Sequence, residues 1–494
     1  MAGSTQNSER GTLEKSLSPW QVGALALGCI VGWGCFVLPG ISFLPNAGPF
    51  ATIIAFAIGG MVMSLVALSY SHMIEHYPVA GGEFAYAYAG FGPTGAFICG
   101  WALVLGYLSI VGINASAIAL LARFLMPGAF EFGYLYTVAG WDVYLGEVLL
   151  MSGSILMFGI MNYRGVSVAG SLQLILAFAL TFGVIALTCG VVATETFAFS
   201  NLVPHFAEGK SAFAAIITVV AIAPFLFVGF DTIPQAAEEF DFSPKKARFL
   251  MLAAIGIGAI LYACVTFSVG SVIPYKELLG QNHAWATGAV AHLALGKFGS
   301  VVLGTAVLGA VCTGMNGFYL ATTRLIFSIA RGKFLPKWFG QVHPTYHTPH
   351  NAIIFTMILS LFTPWAGRAV VGWIVDMCSV GTVIAYMYTC LSCYKMFAAR
   401  GQKSMVAVLG AIASFVILGM LTIPGSPAII GTEPWILMVI WILMGCVFYK
   451  LQISTVNNTD ELDVRESIFG DRNIPVFFDT KAKGRVSNAT ESYK

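Results

Sequence analysis

The stretch GCIVGWGCFVLPG, residues 28–40, is apolar enough to lie in a bilayer and too rich in glycine to be an unbroken helix. Gly28, Gly32 and Gly34 each cost roughly 1 kcal/mol of helix propensity relative to alanine, and Pro39-Gly40 closes the run. The same conflict recurs in APFLFVGFDTIP, residues 223–234, where Pro224 and Gly229 interrupt a second apolar stretch and Pro234 follows. Unwound backbone at membrane depth is tolerated only where it lines a cavity or is buried in protein, because lipid cannot hydrogen-bond bare amides. In membrane proteins built from repeated halves, such pairs mark a ligand site: helix N-termini meet an anionic group, and exposed carbonyls take cations. A Gly28-xxx-Gly32 pair alone also suits close helix packing. Two breaks five spans apart, at matching places in two halves, favour the binding site.

Outward from these breaks the chain is membrane solvent throughout. Its 494 residues are 57% hydrophobic and 10% charged, with mean hydropathy +0.81, against about 25% charged in a soluble domain. A bilayer-crossing helix needs about 20 apolar residues, and runs of that kind fall at 18–44, 49–72, 95–122, 144–162, 168–194, 213–237, 250–274, 300–330, 350–367, 370–394, 404–424 and 434–451. The expectation is an all-α protein of about twelve transmembrane helices, with helices one and six broken. The N-terminal segment 1–17 is polar, and the first run is too long and glycine-broken for a cleavable signal.

An even number of crossings puts both termini on one side. With that side inside, the inner loops hold Arg164, Lys245, Lys246, Arg248, Arg331, Lys333, Lys337, Lys395, Arg400 and Lys403; the outer loops hold Arg123, Lys210, Lys276, Lys297 and Arg368. The excess places both termini in the cytoplasm, of a cell (plasma or inner) membrane. Residues 452–494 read as a cytoplasmic, partly disordered tail, so glycosylation at Asn457 or Asn488 is not expected. Residues 72–92, HMIEHYPVAGGEFAYAYAGFG, lack Lys and Arg and suggest a loop with an amphipathic interfacial helix. The ten cysteines lie in or beside apolar runs without paired spacing, so they read as small hydrophobes, and no metal or cofactor is expected. The net charge of +2 gives no reason to expect nucleic acid as a partner.

The motifs resemble those of the amino acid, polyamine and organocation (APC) permeases. GCIVGWGCFVLPG is similar to that family's span-one signature, and YPVAGGEFAYAYAGFGPTGAFICGW (77–101) to its entry into span three. NYRGVSVAGSLQ (162–173) looks like its span four to five link. FVGFDTIPQAAEEF (227–240) and NGFYLATTRLIFSIARGKFLP (316–336) followed by Thr348-Pro349 resemble its span six and eight signatures. The resemblance implies an APC fold (LeuT-like): repeat one over about 18–194, an inverted repeat two over about 213–394, two peripheral helices over about 404–451, and alternating access by secondary transport or exchange. It implies that Val31, Gly32, Trp33, Gly34 and Cys35 meet a substrate carboxylate through backbone groups. Phe225, Phe227, Gly229 and Phe230 would form the span-six face, with Phe225 as an aromatic gate. The substrate would be an amino acid or small amine, and an oligomer is compatible with the fold.

Three departures stand out. Trp33 occupies a place where relatives often have a small residue, His72 stands where they often have Glu, and Leu180 where proton-coupled relatives carry lysine. Coupling to a proton, to sodium or to a counter-substrate is therefore open, with Asp231, His72 and Asn316 as candidates for coupling or gating. Asp231 could meet a substrate amine, stabilise a gate or pair with an internal cation. Asn316 and Thr313 could satisfy broken backbone or coordinate an ion. Glu238 and Glu239 are expected to pair with Lys245, Lys246 and Arg248, and Arg324 to snorkel to the cytoplasm. The indole of Trp33 points either into the cavity or outward as packing. No HExxH, GxSxG or GxxxxGK[ST] occurs, so an enzyme or an ATP-driven pump is not expected; a substrate sensor built on the same fold, or a subunit of a larger membrane complex, is the alternative.

Overall fold

The helix that begins the membrane domain starts at Pro19 because Ser18 and Gln21 form a reciprocal capping box, each side chain satisfying the other's backbone amide. The computed structural model describes residues 13, 15–138, 141–281, 283, 285–367, 370–426 and 428–478. Most of the segment 1–17, Arg368, the Asn488 sequon and the tail beyond 478 therefore lie outside the described residues. Among those described, ten helical runs are long and apolar enough to cross a membrane. They match spans one to five, seven, eight and ten to twelve.

The other two spans are irregular for visible reasons. Span six is split into Ala212–Val220, Ala223–Phe227 and Thr232–Gln235, around Pro224 and Gly229. In span nine, His350–Ser360 passes into a 3-10 turn, Thr363–Ala366, that ends at Gly367 with φ 68°. The protein is thus all-α across the membrane, as expected. Its one sheet among the described residues is a hairpin, Tyr134–Val138 paired antiparallel with Trp141–Tyr144, between spans three and four. The face carrying this hairpin is called the hairpin face; the opposite one, where both described chain ends lie, the tail face.

Span three departs from the sequence reading. It runs from Gly82 to Leu125 with a kink at Gly92 (φ 72°) before Pro93, and Gly82–Gly90 is buried on every side, so it is not an interfacial helix. Gly81 and Gly82 allow this: Gly81 presses on Ser328 of span eight and Gly82 on Pro234, leaving no room for a Cβ at either. Deeper in the bundle a chain of amides ties three spans together. Asn162 Nδ2 donates to Asn316 Oδ1 (2.9 Å), and Asn316 Nδ2 donates to Gln173 Oε1 (2.9 Å).

Span twelve, Thr432–Asn457, is attached to span three by two indoles. Trp101 Nε1 donates to the Trp441 carbonyl and Trp441 Nε1 to the Trp101 carbonyl, each at 2.9 Å, with rings stacked 4.5 Å apart. Beyond span twelve the chain stays on the tail face. The helix Glu461–Phe469 buries Val464, Ile468 and Phe469, Tyr77 Oη donates to the Pro475 carbonyl (2.7 Å), and Phe478 packs on Gly92. The stretch 461–478 is thus an ordered part of the tail.

Candidate substrate site

The span-one helix Pro19–Ile30 stops at Val31 (φ −93°, ψ 64°), Gly32 is extended, and the helix resumes over Trp33–Leu38. In span six, Val228 turns extended (ψ 128°) and Gly229 takes φ 139°. The two breaks touch backbone to backbone: a Cβ on Gly229 would lie 2.6 Å from Ile30 N and 2.7 Å from Cys29 Cβ. Only glycine offers both that conformation and that approach. Part of the backbone freed by the breaks is satisfied by side chains. Tyr262 Oη donates to the Ile30 carbonyl (3.2 Å), Gly229 N donates to Asp231 Oδ1 (2.7 Å), and Thr232 Oγ1 donates to the Gly229 carbonyl (2.6 Å).

Between the breaks lies a small, almost closed pocket. Its floor is Cys29, Ile30, Gly32 and Gly34 of span one and Val228 of span six; its walls are Ile110, Ile113 and Asn114 of span three, Tyr262 of span seven, Phe225 and Trp33. None of these side chains is charged. The first amides of the helix that resumes at Trp33 have no carbonyl one turn earlier to bond, and the Ala223–Phe227 helix ends without a continuing turn to use its last carbonyls.

Four of the nine expected substrate residues line this cavity: Gly32, Trp33, Gly34 and Phe225. Val31 lies toward Gly258 of span seven, and Gly229 packs on Cys29 and Ile30. Phe227 lies against Gly59 and Gly60 of span two, Phe230 stacks edge-on to Tyr70 and tilted against Tyr386, and Cys35 is buried. Of the coupling candidates, Asp231 adjoins the break. His72 meets Phe397 at the tail face, and Asn316 belongs to the amide chain. Sequence reading missed Asn114 and Tyr262. Asn114 is the lone amide in GYLSIVGINASAIAL (106–120), and its Oδ1 is buried without a partner among the described residues while Nδ2 donates to the Ile110 carbonyl (3.0 Å).

The two faces close over the site unequally. Toward the hairpin face lies a second cavity, bounded by Trp141 and Val143 of the hairpin, Glu147 and Met151 of span four, and Thr363 and Pro364 at the end of span nine. Trp33 lines both cavities. At the tail face, Arg324 pairs with Glu239 (2.7 Å) and Arg331 with Glu238 (2.7 Å). This corrects the expected pairing with Lys245, Lys246 and Arg248, and Arg324 does not snorkel: it is 0% exposed. The 3-10 turn Ala237–Glu239 directs both carboxylates at span eight, whereas Pro244–Lys246 buries none of its residues.

A family model described as amino acid permease matches residues 17–445, most of the chain. The protein belongs to the amino acid permease family. Among its relatives is the methylthioribose transporter of Bacillus subtilis (strain 168), 27% identical over 464 residues, covering 90% of this chain and 94% of the relative. The branched-chain amino acid permease BcaP of Lactococcus lactis subsp. cremoris is 26% identical, covering 77% of this chain and 81% of its own. The vacuolar cationic amino acid transporter 4 of Arabidopsis thaliana is 28% identical over 76% of this chain and 62% of its own. The permease is therefore an integral, multi-pass membrane transporter of the APC superfamily, and these relatives favour transport over the sensor reading.

Proposed function

We propose that the permease moves a neutral, apolar amino acid through the cavity between the two breaks. The observation that carries this is the lining: eleven residues from four spans, none of them charged. A cationic or acidic side chain would lose its hydration there without a partner, at a cost of several kcal/mol. The carboxylate would sit at the amides of Gly32, Trp33 and Gly34. The ammonium would meet Asn114 Oδ1 and the last carbonyls of Ala223–Phe227. The side chain would lie against Ile110, Ile113, Val228 and Phe225, with Trp33 closing the hairpin side. The excess of inner-loop Lys and Arg makes the tail face cytoplasmic, in a cell membrane.

Purified protein in liposomes, loaded with unlabelled leucine and assayed by counterflow of labelled leucine, tests this. Leucine, valine and alanine should compete, and lysine, glutamate and methylthioribose should compete at least tenfold less well. Stronger competition by lysine or glutamate overturns the neutral-substrate reading. Counterflow no greater than in empty liposomes overturns transport of leucine.

A further inference from the structure

One cluster has no place in this substrate site. Glu83, in the first turn of the span-three helix, and Asp231, at the span-six break, are both 0% exposed, and neither has a hydrogen bond or ion pair to a Lys, Arg or His among the described residues. The fully buried guanidinium of Arg324 is taken by Glu239. The two carboxylates are held by neutral donors instead. Gln235 Nε2 donates to Glu83 Oε2, Tyr107 Oη to Glu83 Oε1 (3.5 Å), Tyr386 Oη to Asp231 Oδ2 (3.4 Å), and the Gly229 amide to Asp231 Oδ1 (2.7 Å). Tyr107 faces both acids, which face each other electrostatically.

A second observation concerns the polar atoms around the pair. Tyr86 Oη and Gln235 Oε1 are buried without a hydrogen-bond partner among the described residues, and Tyr70 and Tyr86 both face Glu83. The remaining titratable groups that face the pair, among the described residues, are Cys29 of span one, Cys99 of span three and Cys378 of span ten, none of them a basic side chain. Two carboxylates buried together without a cation cannot both stay charged: low polarity magnifies their repulsion, and burial strips their solvation. Hydroxyl and amide donors can stabilise a single negative charge spread over the pair.

We propose that Glu83 and Asp231 form one proton site that couples substrate movement to a pH gradient. This rests on the transport reading above. While the tail face is closed the pair holds one shared proton. Asp231, bonded to Gly229 at the break, is the end nearest the substrate cavity, where a proton arriving from the hairpin face adds to a carboxylate oxygen. Glu83, beside Gly82 and Pro234, is the end nearest the tail-face seal. When that seal opens, water solvates the pair, its O–H bond breaks with the electron pair left on the carboxylate, and the proton leaves to water on the tail side. The coupling position therefore lies between spans three and six.

Reconstituted protein in liposomes with trapped pyranine and external labelled leucine tests this, at equal pH and with the outside one unit more acid. The wild type should accumulate leucine several-fold under the acid gradient and acidify the lumen only when leucine is present. In Glu83→Gln and Asp231→Asn, accumulation should fall to the level seen without a gradient. A merely structural role for Glu83 would lower the melting temperature of Glu83→Gln and leave its accumulation ratio unchanged, which overturns the proposal. Should both variants fail to fold, the wild-type pyranine signal decides: leucine entry without acidification overturns the site. Wild-type counterflow with no response to the gradient removes the proton site and leaves transport standing; wild-type liposomes with neither counterflow nor uptake remove the transport reading itself.

Discussion

The tail face and the hairpin face of this permease are sealed by different physics. On the tail face two Arg–Glu pairs are almost wholly desolvated, the chain before span one is stitched to span six through Ser16 N and Leu17 N to the Glu239 carbonyl, and residues 461–478 pack on Tyr77, Tyr88 and Gly92. On the hairpin face the guanidinium of Arg123 joins Glu147 and lies 4.2 Å over the Trp141 ring, beside a cavity that Trp33 helps to line. One seal is several layers of chain thick; at the other, Trp33 is the one residue that lines both pockets.

The largest effect should come from the thick seal. Arg324→Ala strands the Glu239 carboxylate in the interior, and breaking a buried pair from one side costs about 3–5 kcal/mol. The expected readout is a drop in melting temperature or folded yield well beyond that of Arg123→Ala. Equal losses for the two would erase the contrast between the faces.

At the junction of the seals, Gly229→Ala meets the span-one backbone and demands φ 139° of an L-residue. A strain of roughly 1–3 kcal/mol corresponds to about a 5- to 150-fold loss of leucine counterflow. Gly32→Ala is the matched control: the nearest atoms to its new Cβ, Asn114 Oδ1 and the Cys29 carbonyl, are 3.7 Å away, and its φ of −89° is ordinary. It should stay within about threefold of wild type, as 0.6 kcal/mol or so of lost packing allows. Similar losses at both positions would mean that the contact between the breaks does not matter. Gly32→Leu, by contrast, should fill the cavity and abolish leucine binding in folded protein.

Trp33→Ala probes the thin seal. With Cys29 as the only cysteine, a membrane-impermeant thiol reagent added at the hairpin face should label it several-fold faster once the ring is gone, and leucine affinity should weaken by up to about tenfold. Unchanged labelling would show that the indole is packing and not a partition. The smallest effect belongs to the tail: Tyr77→Phe removes one hydrogen bond, to the Pro475 carbonyl, and should cost about 1 kcal/mol. Faster proteolysis after residue 458 with unaltered uptake would fit; loss of uptake would make the tail part of the gate.

Some of this could be read from the sequence because glycine and proline in an apolar run have few explanations. The breaks at 31–32 and 228–231 and the twelve spans follow from that logic and from run length. What could not be read came from distant chain. Glu239 chooses Arg324, 85 positions away, over the three cations that follow it closely, because a 3-10 turn sets the direction of its side chain. Glu83 sits in a stretch whose mixture of aromatic and polar residues looks alike whether it lies on a membrane surface or is buried under span eight. Asn114 is one amide in an apolar helix, and periodicity does not say whether such a residue faces a neighbour or a cavity. Trp33 was read as pointing either in or out; its position bordering two cavities has no counterpart in local pattern.

The reciprocal clasp between Trp101 and Trp441 gives the permease an optical reporter of its own. Two indoles stacked at 4.5 Å are close enough for their excited states to mix, so the near-ultraviolet circular dichroism should carry a paired signal that depends on spans three and twelve staying in register. Gly445 has no room for a Cβ against Trp101, so Gly445→Ala should split the pair and erase that signal. Followed through a transport cycle, the signal would tell which helices stand still while the broken ones move.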